Sequence, residues 1–228
     1  SRRRPRISAQ SVGLISVQGR EFAVDWRIAY TISRASAKTL YLLVDKSLRD
    51  EFKIASAAVP IASKSIVQPG EKSIPLSDEL AKRYNLYLLN LDHSSLGDVV
   101  IDVRYERPIV DKGFDAPLVR PICLGEISEQ LAVQAAEESA VKVNVSGAKE
   151  IDAVDLPPLP AQAARILWAF RLDAPTTPGG SKTALILNTD VHESYEIPSA
   201  LAVSARLTTY LDVDGGQRTQ AAFSVANV

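Results

Sequence analysis

Residues 21–32, Glu21-Phe22-Ala23-Val24-Asp25-Trp26-Arg27-Ile28-Ala29-Tyr30-Thr31-Ile32, decide the fold class. Phe22, Val24, Trp26, Ile28, Tyr30 and Ile32 share one face, while Glu21, Asp25, Arg27 and Thr31 interleave on the other. Successive side chains of an extended backbone point to opposite sides, so a period of two is the signature of a strand with one dry face and one wet face.

The same period recurs along the chain. Val99, Ile101, Val103 and Tyr105 alternate with Asp102, Arg104 and Glu106, and Val141, Val143 and Val145 alternate with Lys142, Asn144 and Ser146. Ile166, Trp168, Phe170 and Leu172 repeat it, as do Leu201, Val203, Leu207, Leu211 and Val213. Each run is expected to supply one apolar stripe to a core, with Trp26 and Trp168 inside it. Residues 39–44, 84–91 and 184–187 are apolar on both faces, as central strands are. Asp214-Gly215-Gly216 follows the 201–213 run, and Asp-Gly takes the positive φ values of a tight hairpin. Helix signals are short: Ser77 caps residues 78–83, and Ser47 to Glu51 make one turn. Residues 127–139 fit helical spacing at Ile127, Leu131 and Ala135, but the strand reading through Leu131 and Val133 is preferred.

These elements predict an all-β protein of two β-sandwich units, immunoglobulin-like by default, with only short helical turns. Pro108, Pro117 and Pro121 bracket a segment of low periodicity and set the expected boundary near residue 112, giving units 1–112 and 113–228. Pro157-Pro158-Leu159-Pro160 reads as a stiff connection inside the second unit. The chain has no methionine and ends on a run of strand character, Ala221 to Val228, so it is expected to be a segment of a longer protein.

Composition narrows the function. At 228 residues, roughly 70% of the unfolded surface can be buried, so no disulfide, metal or cofactor is needed for folding. Lys+Arg 26 against Asp+Glu 27 leaves a net charge of −1, without the broad positive field of a general nucleic-acid or anionic-membrane binder. No apolar run approaches the ~18 residues of a membrane span. Cys123, the single cysteine, sits in apolar Pro121-Ile122-Cys123-Leu124 and reads as a small buried hydrophobe.

The motifs that could carry chemistry each lack a part. His93 follows Asp92 and His192 precedes Glu193, but neighbours on a strand face opposite ways, so both histidines read as surface residues. Asp190-Val191-His192 offers two ligands and no third. Pro178-Gly179-Gly180-Ser181-Lys182-Thr183 has a serine where a phosphate loop needs glycine before lysine, and a strand where it needs a helix, so it reads as a turn. Asp212-Val213-Asp214-Gly215 lacks the later ligands of a calcium loop, and Glu137-Glu138 read as solvated charge. No catalytic, cofactor-binding or metal-ligating residue is assigned. Arg2, Arg3, Arg4 and Arg6 form the one charge cluster, read as a linker in preference to a nucleic-acid arm or the flank of a preceding membrane span.

Several phrases form a set: Asp98 to Glu106, Leu131-Ala132-Val133, Lys149 to Pro157, and the hairpin Leu207 to Asn227 with Asp214-Gly215 at its turn. Together they resemble very large envelope-anchored bacterial proteins of uncharacterised function, built from successive β-sandwich units. Strand-rich modularity and the lack of any acid–base or metal constellation lead to the expectation of a non-catalytic structural or interaction segment, and the resemblance implies an address outside the cytoplasm, periplasmic or on the cell surface. It carries over no functional residue. The alternatives are a carbohydrate-binding module using Tyr84, Tyr87, Tyr195 or Tyr210, and an accessory domain of an enzyme whose active site lies elsewhere. The expected partner is another protein or a glycan.

Overall fold

The structure, a computed structural model, describes residues 4–68, 74, 76–111, 113–136, 139–177, 180–191 and 200–227. These residues form an all-β, sandwich-like fold of fourteen strands with one short helix. In chain order the strands are β1 (Arg6–Gln18), β2 (Glu21–Asp45), β3 (Lys53–Ala55), β4 (Ile61–Ile66), β5 (Tyr84–Pro108), β6 (Gly113–Asp115) and β7 (Val119–Ile122). There follow β8 (Ile127–Ala135), β9 (Ser139–Ser146), β10 (Ala148–Glu150), β11 (Ile166–Leu172), β12 (Ala184–Val191), β13 (Ala200–Leu211) and β14 (Gln217–Asn227). The helix, α1 (Asp78–Arg83), starts where the serine signal places it: Ser77 Oγ accepts from the Leu80 N–H at 3.3 Å. The turn expected over Ser47 to Glu51 lies at Lys46–Leu48, set by Asp45, whose carboxylate accepts from the Ser47 N–H and hydroxyl. Among the described residues no helix is long and apolar enough to cross a membrane.

Two 25-residue strands, β2 and β5, organise the first unit. They pair antiparallel from Glu21↔Pro108 to Ile32↔Gly97, lose regular register, and pair again from Thr39↔Asn90 to Asp45↔Tyr84. At the interruption Arg34 has φ +70° and Gly97 φ +91°, so both strands turn sharply there. The turn folds the pair over itself. Tyr30 Oη donates to the carbonyl of Tyr41 at 2.7 Å, although eleven residues of straight strand would hold them about 36 Å apart. Likewise Arg107, paired opposite Phe22, reaches the carbonyl of Ser47 at 2.6 Å.

Residues 21–32 of β2 and 97–108 of β5 lie in one layer, in the order β10-β11-β8-β1-β2-β5-β3. Residues 39–45 of β2 and 84–91 of β5 carry β7 on the β2 edge and β4 on the β5 edge. A separate sheet, β6-β12-β9, has β12 at its centre. Phe22, Val24, Trp26, Ile28, Tyr30 and Ile32 are all buried, with Val99, Ile101, Val103 and Tyr105 from β5 beside them. Burying such side chains contributes about 1.5–3 kcal/mol each, which is why this stripe anchors the fold. Room for the Trp26 indole comes from Gly13, directly opposite on β1: a Cβ there would lie 2.7 Å from the indole ring. Trp168 is half-buried, packs against the core and donates its indole N–H to the Val141 carbonyl at 3.3 Å.

The expected boundary near residue 112 is corrected. β8, from the far side of it, pairs with β1 in parallel register from Ala9↔Ile127 to Val17↔Ala135, so one sheet runs through both expected units. The chain divides instead into Ser1–His192 and Glu193–Val228. Proline punctuation marked a connection between strands of one sheet, which is as good a place for proline as a linker between domains. The parallel β1–β8 pair also differs from the antiparallel layers that an immunoglobulin-like default implies. Residues 127–135 are strand, as preferred.

The second unit is the hairpin of β13 and β14. Asp212 and Gly216 close its turn, with the Asp212 N–H donating to the Gly216 carbonyl at 2.8 Å and Gly215 at φ +83°. Its apolar stripe departs from expectation: Leu207 is 70% exposed, and Val203, Leu211 and Phe223 are exposed with it.

Candidate functional site

Four groupings of charged side chains among the described residues are candidates, and the first is fully enclosed. Arg120 on β7 and Glu129 on β8 are both 0% exposed. The guanidinium Nε donates to both Glu129 oxygens at 3.2 and 3.1 Å, and Nη2 reaches Oε2 at 2.5 Å. Nη1 donates to the Gly180 carbonyl at 2.5 Å and Nη2 to the Asp173 carbonyl. The turn that resembled a phosphate loop thus serves, through Gly180, to solvate a buried cation. Burial pushes the Glu129 carboxyl up, with Arg120 opposing it. Burial alone would lower Arg120, but the charge and hydrogen bonds of Glu129 outweigh it and leave it raised. The pair's donors are satisfied within the protein, which makes it a cross-strand clamp.

Arg83 forms the second cluster at the end of α1. Its Nε meets Asp45 at 2.9 Å, its Nη1 donates to the Thr183 carbonyl at 2.6 Å, and Asp115 lies 3.3 Å away. The third lies on the outer face of β2 and β5, where register sets opposite charges across from one another: Arg27 with Asp102 at 2.9 Å, and Asp25 with Arg104 at 3.4 Å. Arg104 also holds Glu106 at 2.7 Å. Burial raises Asp25, Arg104 opposes, and Glu106 and Asp102 add to the rise. A small cavity of about 240 Å³ adjoins Asp25, Arg104, Glu106 and Gln134.

The fourth place is open and stands at the fold-back of β2. A cavity of about 570 Å³ is walled by the start of β1, by residues of the 34–41 stretch of β2, by Ile122 at the end of β7 and by residues 123–125 beyond it. Arg4, Arg6, Arg34 and Lys38 rim it, all exposed, and its described lining includes no carboxylate. Leu40 and Ile122 are buried in its floor beside half-buried Ile7 and Tyr41, and Leu124 is 88% exposed at its mouth. Cys123 lies buried in the wall; burial pushes its thiol up, opposed by a backbone hydrogen bond at Gly125.

The backbone explains the opening. On this edge of β2, β1 pairs as far as Ser33↔Arg6, and β7 resumes only at Tyr41↔Ile122. Pro5, which has no N–H, ends the β1 ladder. Among the described residues no strand pairs with residues 34–40 on that side. Arg34 itself holds φ +70°, a conformation costly for a side-chain-bearing residue and often found where a site constrains the chain.

The residues singled out from sequence fall in different places. Arg4 and Arg6 line the cavity; Arg6 is the first residue of β1, which corrects the linker reading for it, while Arg2 and Arg3 lie outside the described residues. His93 is exposed on β5 near the interruption, with Asp92 3.9 Å away. Tyr84 and Tyr87 are buried, which corrects their candidacy as glycan platforms, and Tyr210 is exposed. His192, Glu193, Tyr195, Glu137 and Glu138 lie outside the described residues. Sequence reasoning missed Arg34, Lys38 and Leu124; the nearest signal was the break in alternation after Ile32. Among the described residues no three of His, Cys, Asp and Glu come together as metal ligands. Searched against protein-family models and curated proteins, the chain matches none.

Proposed function

We propose that this chain is a non-catalytic interaction segment of a larger bacterial envelope protein, working through the basic-rimmed cavity at the fold-back of β2. The observation that carries the reading is the pairing of four exposed cations with an apolar floor at an open strand edge. Acid–base chemistry needs a titratable group poised toward a substrate. Here the enclosed charges, Arg120 with Glu129 and Arg83 with Asp45, are spent on each other and on backbone carbonyls. The envelope setting follows from the resemblance of the strand phrases. Carbohydrate binding has less support, because two of its four candidate tyrosines are in the core.

Two measurements test this reading. Protease accessibility of the chain in intact and permeabilised cells of its source should place it outside the cytoplasm. A panel of ester, peptide and glycoside substrates should show no turnover by the purified chain. Turnover lost on Asp25→Asn would refute the non-catalytic reading, and a saturable glycan-array signal lost on Tyr210→Ala would favour the carbohydrate alternative.

A further inference from the structure

We infer that the open edge of β2 at residues 35–40 takes an extended acidic peptide segment of another protein as an added strand. This rests on the interaction reading above and names the partner's chemistry. Unpaired N–H and C=O groups along a strand edge are a ready template for a further strand. The gap between Ser33, paired with Arg6, and Tyr41, paired with Ile122, is seven residues; the sharp turn at Arg34 leaves residues 35–40 as the edge, at most about 20 Å long, which limits an added segment to five or six residues. Charge selects the segment. Arg4, Arg34 and Lys38 stand around the gap with no described carboxylate to neutralise them, so alternate acids on the incoming strand would meet cations. The opposite side chains of the same strand would enter the cavity toward Leu40, Ile122 and Leu124, since residues two apart share a face.

A basic edge can also serve only to repel other strands. That role accounts for the cations but not for the cavity beside them, which has Leu40 and Ile122 in its floor and Leu124 at its mouth. A free anionic amphiphile would use the same cations and floor but not the strand edge, which gives the experiment its discriminating arm.

The test uses the whole chain and three probes: a fluorescein-labelled acetylated heptapeptide alternating glutamate and isoleucine, the same peptide N-methylated at alternate residues, and laurate. Fluorescence anisotropy should show saturable binding of the first peptide and at least tenfold weaker binding of the N-methylated one, which cannot complete the ladder. Hydrogen exchange at amides within 35–40 should slow when the first peptide is bound. Arg34→Glu with Lys38→Glu, and separately Leu124→Asp, should each weaken binding at least tenfold with unchanged circular dichroism. No saturable binding of the heptapeptide, equal binding of the N-methylated peptide, or binding without protection at 35–40 would each overturn the inference. Laurate binding that displaces the peptide without protecting those amides would replace it with an amphiphile site. The N-methylated arm uses the unaltered chain, so it decides even if a variant fails to fold. Failure here removes the acidic-strand partner alone, whereas the interaction reading falls on substrate turnover or cytoplasmic location.

Discussion

β2 and β13 carry the same sequence pattern and meet different fates. Along β2 the alternate residues Phe22 to Ile32 are all buried. Along β13 the alternate residues Val203, Leu207 and Leu211 are exposed, as is Phe223 across from Ala205 on β14. In both, register does what alternation predicts: the apolar side chains of paired strands share one face. The first stripe is covered because β2 and β5 fold back at residues 33–38 and 91–96 and lay their second halves near the first, with Tyr30 bonded to Tyr41 as the witness. Alternation names the face that wants covering; it does not supply the cover.

That contrast can be broken or sharpened by substitution, and the largest effect is expected at the clamp in the first unit. Arg120→Ala leaves Glu129 buried without its partner and should cost about 5 kcal/mol of stability in urea unfolding. Arg120→Met with Glu129→Leu should restore most of it, and a double variant no better than the single one would show that the pair is needed for more than mutual neutralisation. Trp26→Ala empties the centre of the covered stripe and should cost about 4 kcal/mol. Next comes the fold-back. Gly97→Ala forces a side chain into φ +91° and should cost about 1–2 kcal/mol, read as a lower melting temperature. A neutral result would mean that the bend relaxes without strain.

The pH dependence should be gentler. Burial raises Asp25 and Asp115, and Glu129 likewise, above the ordinary carboxylate value. The folded chain therefore holds these protons more tightly than the unfolded chain does. Their contribution to stability is full below about pH 4, near the unfolded carboxylate value, and is lost as pH rises through the higher folded values. Denaturant midpoints measured across that window should fall with rising pH, and Asp25→Asn should flatten part of the slope. The smallest effect belongs to the hairpin: Phe223→Ala should change stability by less than about 0.5 kcal/mol, since an exposed side chain gives up little on truncation. A loss comparable to that of Trp26→Ala would mean that the two stripes are equally covered, and the contrast would fail.

The site was less legible than the strands. Arg4 and Arg6 stood out as a charge cluster, but their meeting with Arg34, Lys38 and Leu124 depends on β2 bending back until residues 34–41 face residues 122–125. Arg120 and Glu129 are nine positions apart with a turn between their strands, and nothing in their local sequence distinguishes them from surface charges.

β1 and the short β3, β4, β6, β7 and β10 were not read from the sequence; by itself it determined the alternating strands, both parts of β2 and β5 with β8, β9, β11, β12 and the last hairpin, where α1 is capped by Ser77 and where Asp214-Gly215 turns. These are properties of residues one to four positions apart, set by backbone geometry and side-chain shape. Only the tertiary structure decided that β1 and β8 lie parallel in one sheet, that two long strands fold over themselves, and that one charge pair is enclosed while four cations remain at an open edge. Those outcomes join segments far apart in the chain, and they are selected by the packing of whole layers, which no local period encodes.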